Sequence, residues 1–162
     1  EAADILRNNS NIHFLIVGEG AVKDRIKQRK NKLNLENVQL LPMQPKEVYP
    51  YILHSSDVGL VTLKSEVKTP VVPSKLLSIM SAEIPALAAL PLHGDAPKII
   101  EKSNCGICIR PEKPELFAEK VIKLFNNPVM RNEMGKNGRE YVKENFSLKH
   151  CAHRYQELFK KI

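Results

Sequence analysis

Apolar positions along this chain follow two alternating rhythms. Short β-branched runs read as strands, and stretches with apolar residues every three or four positions read as amphipathic helices. The run "IHFLIVG" over 12–18 is continuously apolar and ends in glycine, the pattern of a strand buried on both faces. A basic helix over about 21–33 follows, with Val22, Ile26 and Leu33 on its inner face. "NVQLLP" predicts a second strand. "QPKEVYPYILHSS" predicts a short helix that starts near Pro45 and turns Val48, Tyr51 and Ile52 inward. "DVGLVTL" is a third strand, the segment from Ser74 a helix over about 74–83, and "PALAAL" a fourth strand. "HGDAPKIIEKSN" is a short helix stopped at Asn104-Cys105-Gly106, and "GICIRP" is a fifth strand. The remainder reads as helix: "ELFAEKVIKLFNN", "PVMRNEMGKNGREYVKENF" and "SLKHCAHRYQELFKKI", with Pro128 and Ser147 as start signals for the last two. The opening "EAADILRNNSN" reads as the second half of an amphipathic helix through Ala2, Ala3, Ile5 and Leu6.

Strands alternating with helices of this length imply βαβ units. The expected fold is α/β: one doubly wound, Rossmann-like parallel sheet with a helical C-terminus, a single domain over 1–162. A chain that opens inside a helix is expected to be truncated at its N-terminus. Ligands of such sheets sit beyond the carboxyl ends of the strands. That rule selects four stretches: "GEGAVKD", "LPMQPKE", "LKSEVKTPVVPSK" and "LPLHGDAP".

Within the first stretch, Gly18 and Gly20 either let the chain turn off its strand or allow close backbone approach by a ligand. The third glycine of a dinucleotide fingerprint is missing. So is the acidic residue at the end of the next strand, where Leu40-Leu41-Pro42 stands. In the second, Pro42, Met43 and Gln44 form either a proline-punctuated turn or a surface against which a planar base packs. The third is the most unusual. Pro73 suits the first turn of a helix, so Ser74 and Lys75 stand where free N–H groups meet the positive end of the helix dipole. Ser74 can cap or donate a hydroxyl, and Lys75 can offer an ammonium to a phosphate without any glycine-rich loop. His93 is the one histidine in a selected loop.

The net charge of +7 permits an anionic partner, but the basic residues are spread over several segments without interleaved aromatics, so no nucleic-acid partner is expected. Three cysteines fit a reducing compartment. The Cys105–Cys108 pair lies at a turn entering a strand and reads as structural. No metal-ligand set is visible, and no cofactor is expected.

The ordered set "FLIVGEGAVKDRI", "NVQLLPMQPKEVYPYILHSSDVGLVTL", "VVPSKLLSIMSAEIPALAAL", "HGDAPKIIEKSNCGICIRPEKPELFAEKVIKL" and "MGKNGREYVKENFS" covers nearly the whole chain. It resembles the C-terminal, donor-binding half of the family 4 retaining glycosyltransferases with the GT-B fold. The likeness is strongest to a Pro-Ser-Lys subgroup, many of whose members build bacterial surface polysaccharides and O-antigens. The resemblance implies a nucleotide diphosphate-sugar as substrate, with Pro42, Met43 and Gln44 flanking the base. It also implies that the turn through Thr69, Val71, Val72, Ser74 and Lys75 surrounds the diphosphate and sugar, with Lys75 as the catalytic cation. Ser78 falls at the position that meets the ribose. Two departures stand out. The two glutamates of many members are replaced by Pro70 and Ser78, and Glu83 stands where glycine is usual, which predicts a different turn. The family's Arg/Lys pair for the diphosphate would lie largely before residue 1, along with the first strand and an acceptor domain. A glycan or lipid-linked acceptor, a cytoplasmic location and peripheral contact with the inner face of the membrane follow from the resemblance as expectations. The lost glutamates keep an alternative open: a degenerate, non-catalytic binding or scaffold module.

Overall fold

A computed structural model of the protein describes residues 1–69 and 71–160. The elements run α1 (Ala2–Ile5), β1 (Phe14–Val17), α2 (Lys23–Lys32), β2 (Val38–Leu41), α3 (Tyr49–His54), β3 (Gly59–Thr62), α4 (Ser74–Ser81), β4 (Ala86–Ala89), α5 (Asp95–Ser103), β5 (Gly106–Ile109), α6 (Pro114–Phe125), α7 (Pro128–Phe146) and α8 (Leu148–Phe159). Every expected strand and helix is present, and all strand pairs are parallel. Among the described residues the parallel strands pair in two groups: β1 with β2, and β3-β4-β5.

The second sheet carries the main core. All four residues of β4 are buried, because helices cover both faces of a central parallel strand. Leu76, Ile79 and Met80 of α4 lie against it, together with Val61, Leu90, Ile99, Ile100 and Cys105. Complete burial of Leu76 alone is worth roughly 2 kcal/mol. A smaller cluster of Leu6, Ile12 and Ala118 joins α1 and the approach to β1 to α6. Asn37, buried at the entrance to β2, donates from its amide to the Ala3 carbonyl at 2.8 Å and fastens α1 to the first sheet.

Around that first sheet the sequence reading needs correction. Leu15 and Ile16 of β1 are 38% and 46% exposed, so this strand is not covered on both faces. On the helix that follows, Val22 and Ile26 are also exposed and only Leu33 is half-buried. A cavity of about 510 Å³ separates α2 from the sheet, lined by Phe14, Leu15, Val38, Leu40 and Leu41 below and by Lys23, Lys27 and Lys30 at its rim. Nor does α3 begin near Pro45. It starts at Tyr49 with Pro50 in its first turn, and Val48 and Tyr51 face solvent, leaving Ile52 half-buried. Hydrophobic periodicity identifies which side of a helix is apolar, not whether anything lies against it.

The signals at Asn104, Pro128 and Ser147 behave as the sequence predicts. Asn104 closes α5 in the left-handed conformation, at φ 49°. Pro128 opens α7, and the Ser147 hydroxyl caps α8 by accepting from the His150 N–H at 3.2 Å.

Candidate functional site

The carboxyl ends of the strands hold two groups of the residues singled out above. The first surrounds the exits of β1 and β2. Gly18 has φ 138°, a conformation side chains rarely adopt, while nothing approaches within 4 Å of where a side chain would start. The glycine therefore serves the turn off the strand. Gly20 has neither constraint and is open to solvent. Between them, Glu19 accepts from the Lys23 ammonium at 2.6 and 2.8 Å. The bonds from Lys23 hold its carboxyl below the usual range. Pro42 and Met43 are exposed, Met43 at 65%, and Gln44 donates to the Pro42 carbonyl at 3.0 Å. The thioether is left free to cover a flat apolar ligand.

The second group follows β3. Pro73 is the residue just before α4, with φ −59° and ψ 127°, one position earlier than a first-turn proline. No side chain caps this helix end, and its first turn contains no acidic residue. The Leu76 N–H turns back to the Pro73 carbonyl at 2.9 Å. Among the described residues, the Ser74 and Lys75 N–H groups have no acceptor, and Lys75 takes part in no ion pair. Both side chains are exposed, while Leu76, Ile79 and Met80 on the opposite face are at most 3% exposed. The buried face fixes the direction of the exposed one. The N-terminus of α5, by contrast, carries Asp95, whose carboxylate would repel an anion. Of these two helix starts, the one at Ser74 has no acidic residue in its first turn.

Ser78, one turn along α4, donates to the Ser74 carbonyl at 3.3 Å. Thr69 and Val71 are exposed, whereas Val72 packs on the core and can offer a ligand only its backbone. Pro70 lies outside the described residues. Thr69 and Val71 meet His93 and Gly94 across a crevice of about 10 Å³, room for one water at most. No hydrogen bond or shared cavity joins this second group to the first among the described residues.

Glu83 corrects an expectation. With φ 60° it takes the left-handed conformation that glycine favours, so the side chain is accommodated within a glycine-type turn. Arg139 of α7 supports it: its Nε lies 3.7 Å from the Glu83 carboxylate and its Nη1 donates to the Ser81 carbonyl. The cysteine pair behaves as structural. Burial raises the Cys105 thiol and pushes Cys108 up to about 11, so neither is poised as a thiolate.

Residues 1–141 match the family described as "Glycosyl transferases group 1". A relative in Escherichia coli (strain K12), WcaI, named as a glycosyl transferase of colanic acid biosynthesis, is 32% identical over 116 residues, covering 71% of this chain and 28% of the relative. The poly(ribitol-phosphate) alpha-N-acetylglucosaminyltransferase of Staphylococcus aureus (strain COL) is 25% identical over 161 residues, 96% of this chain and 30% of its own. Among solved structures, Anabaena Alr3699/HepE in complex with UDP-glucose superposes with a TM-score of 0.79 at 16% identity, over 99% of this chain and 44% of that one. This chain spans between 28% and 41% of the length of the curated relatives it matches. The likeness to solved structures establishes the α/β, GT-B-type domain fold.

Proposed function

This chain belongs to the group 1 glycosyl transferases, and on that premise we propose that it is the donor-binding domain of a retaining transferase that moves a sugar from a nucleotide diphosphate-sugar to a glycan or lipid-linked acceptor in surface polysaccharide synthesis. The observation that carries this reading is the uncapped, acid-free start of α4 with Ser74 and Lys75 exposed beside it. In this reading the diphosphate lies on the Ser74 and Lys75 N–H groups, and the Lys75 ammonium neutralises the charge that develops on the leaving diphosphate. Pro42, Met43 and Gln44 flank the base, Gly18 and Gly20 leave its approach open, Thr69, Val71 and Val72 border the sugar, and the Ser78 hydroxyl meets the ribose. A serine there makes a weaker contact than a carboxylate, whose charge-assisted hydrogen bonds are roughly twice as strong. Affinity for the diphosphate then rests more heavily on Lys75.

The same reading includes one further strand, supplied by chain outside these 162 residues, between β1 and β3. Its support is that β1 and β3 are each hydrogen-bonded to a neighbouring strand on one side only among the described residues, while Leu15 and Ile16 stay exposed. An acceptor domain elsewhere in the longer protein would complete the cleft. No described helix is long and apolar enough to cross a membrane; peripheral contact at the cytoplasmic face with a lipid-linked acceptor is part of the same proposal and rests on the family likeness. The non-catalytic scaffold reading, which the replaced glutamates leave open, is not favoured, since the relatives described above are named as transferases.

The test is calorimetric titration of UDP, GDP and ADP into the full-length protein and its Lys75→Ala variant. One nucleotide should bind, and Lys75→Ala should weaken it by roughly 10- to 100-fold, the value of a hydrogen bond to a charged group. Absence of binding to any of the three by the folded full-length protein would overturn the reading.

A further inference from the structure

Among the described residues, the loop that carries the second group of site residues has a single hydrogen-bonded tether to another element beyond β3. Beyond the Leu63 N–H, which still bonds to the Ala89 carbonyl, the backbone bonds within 64–72 are local: Val67 to Lys64 and Val71 to Thr69. Among the described residues, the one hydrogen-bonding partner that this stretch finds on another element is Glu112, beyond the end of β5. One carboxylate oxygen of Glu112 accepts from the Ser65 hydroxyl at 2.8 Å and from the Ser65 N–H at 3.4 Å, across 47 positions of sequence. Glu112 itself has φ 59°, a conformation that glycine would adopt freely and a glutamate does not favour. A turn alone would be better served by glycine, so the side chain must earn its place by what it holds.

We propose that Glu112 is a positioning residue for the donor site: by gripping Ser65 from the end of β5 it sets the path of the loop that delivers Thr69 and Val71 to the crevice opposite His93, and Ser74 and Lys75 to the start of α4. This rests on the donor-site reading above. The grip restrains the loop before a ligand arrives, so that less ordering is left for binding to supply. The bonds from Ser65 hold the Glu112 carboxyl below its usual range. Both partners are solvent-exposed, and the effect is correspondingly modest.

The experiment uses the full-length protein with Glu112→Gly, Glu112→Gln and Ser65→Ala. Two readouts are taken: hydrogen exchange at the amides of residues 64–67, and the affinity for whichever of UDP, GDP or ADP the wild type binds. Glu112→Gly should speed exchange in this stretch and weaken the nucleotide by roughly three- to tenfold, without lowering the melting temperature, since glycine relaxes the turn. Ser65→Ala should do the same in lesser degree. Glu112→Gln, whose amide oxygen still accepts, should recover most of both. Unchanged exchange and affinity in Glu112→Gly would overturn the proposal, because the glutamate would then serve only its own turn. If the wild type binds no nucleotide, the donor-site reading fails and the positioning role with it. Faster exchange in Glu112→Gly would then show that the tether exists without that role, so the two failures are told apart.

Discussion

Replacing Gly135 with alanine should damage this domain more than its one added methyl group suggests. Gly135 is buried in α7 where that helix crosses the turn after α4. A Cβ there would stand 2.1 Å from the Glu83 carbonyl oxygen and 2.8 Å from its carbon, against the 3.0 Å that real Cβ atoms essentially never go below. The obstacle is backbone. It belongs to a turn held by the Glu83 N–H to Met80 bond, and it leads through buried Ile84 and Pro85 into β4. No rotamer change relieves the clash, so α7 must move out by about 1 Å, more than a close-packed interior absorbs freely. One turn along, Gly138 sits against Met80 and Cys105, where a Cβ would already be 3.0 Å from Cys105 Cβ, so the displacement also opens a gap there. Overpacking of this kind costs about 1–3 kcal/mol, and a rigid neighbour puts it at the upper end. Alanine's better helix propensity returns about 1 kcal/mol. The net expectation is a loss of roughly 2 kcal/mol. In urea denaturation, with a slope of about 2 kcal/mol/M, the midpoint should fall by about 1 M while the slope stays constant. Gly20→Ala, in open space, is the control and should leave the midpoint unchanged. A neutral or stabilising Gly135→Ala would refute the argument that α7 is seated by backbone contact at Glu83.

Two further outcomes follow from the same turn and from the core. Glu83→Gly relieves a left-handed glutamate at φ 60° but removes its pairing with Arg139 at 3.7 Å. Relief is worth about 1 kcal/mol and an exposed ion pair less, so thermal denaturation should show a small gain in stability; a clear loss would mean that Arg139 holds the turn through the carboxylate. Thiol labelling of the native protein at pH 8 should modify Cys151 on α8 first. With Cys108 raised to about 11, only about one thiol in a thousand is ionised at that pH, and labelling should rise with pH toward that value; rapid modification of Cys105 or Cys108 at neutral pH would contradict the structural reading of the pair.

The order of elements was legible from the chain alone because it depends on local signals. Apolar period, proline at helix starts, Asn104 at a helix end and a serine cap at Ser147 act within a few residues of where they stand, so β1 to β5 and α4 to α8 can be read in order. The candidate site was legible to the extent that topology dictates it: once the strands are parallel, ligand loops fall at their carboxyl ends, which selected the stretches holding Met43 and Ser74-Lys75. Tertiary structure decided what is covered and what touches what. The apolar run at Leu15 and Ile16 looks the same in sequence whether or not a neighbour lies against it, and only packing reveals the open face and the pairing of the described strands in two groups. Glu83 and Glu112 look like ordinary surface glutamates in the sequence. Their left-handed backbones and their partners, Arg139 and Ser65, are set by approaches across some 50 residues of chain, which no window along the sequence contains. Local free-energy preferences are written residue by residue, whereas burial and long-range pairing exist only once the elements have been brought together.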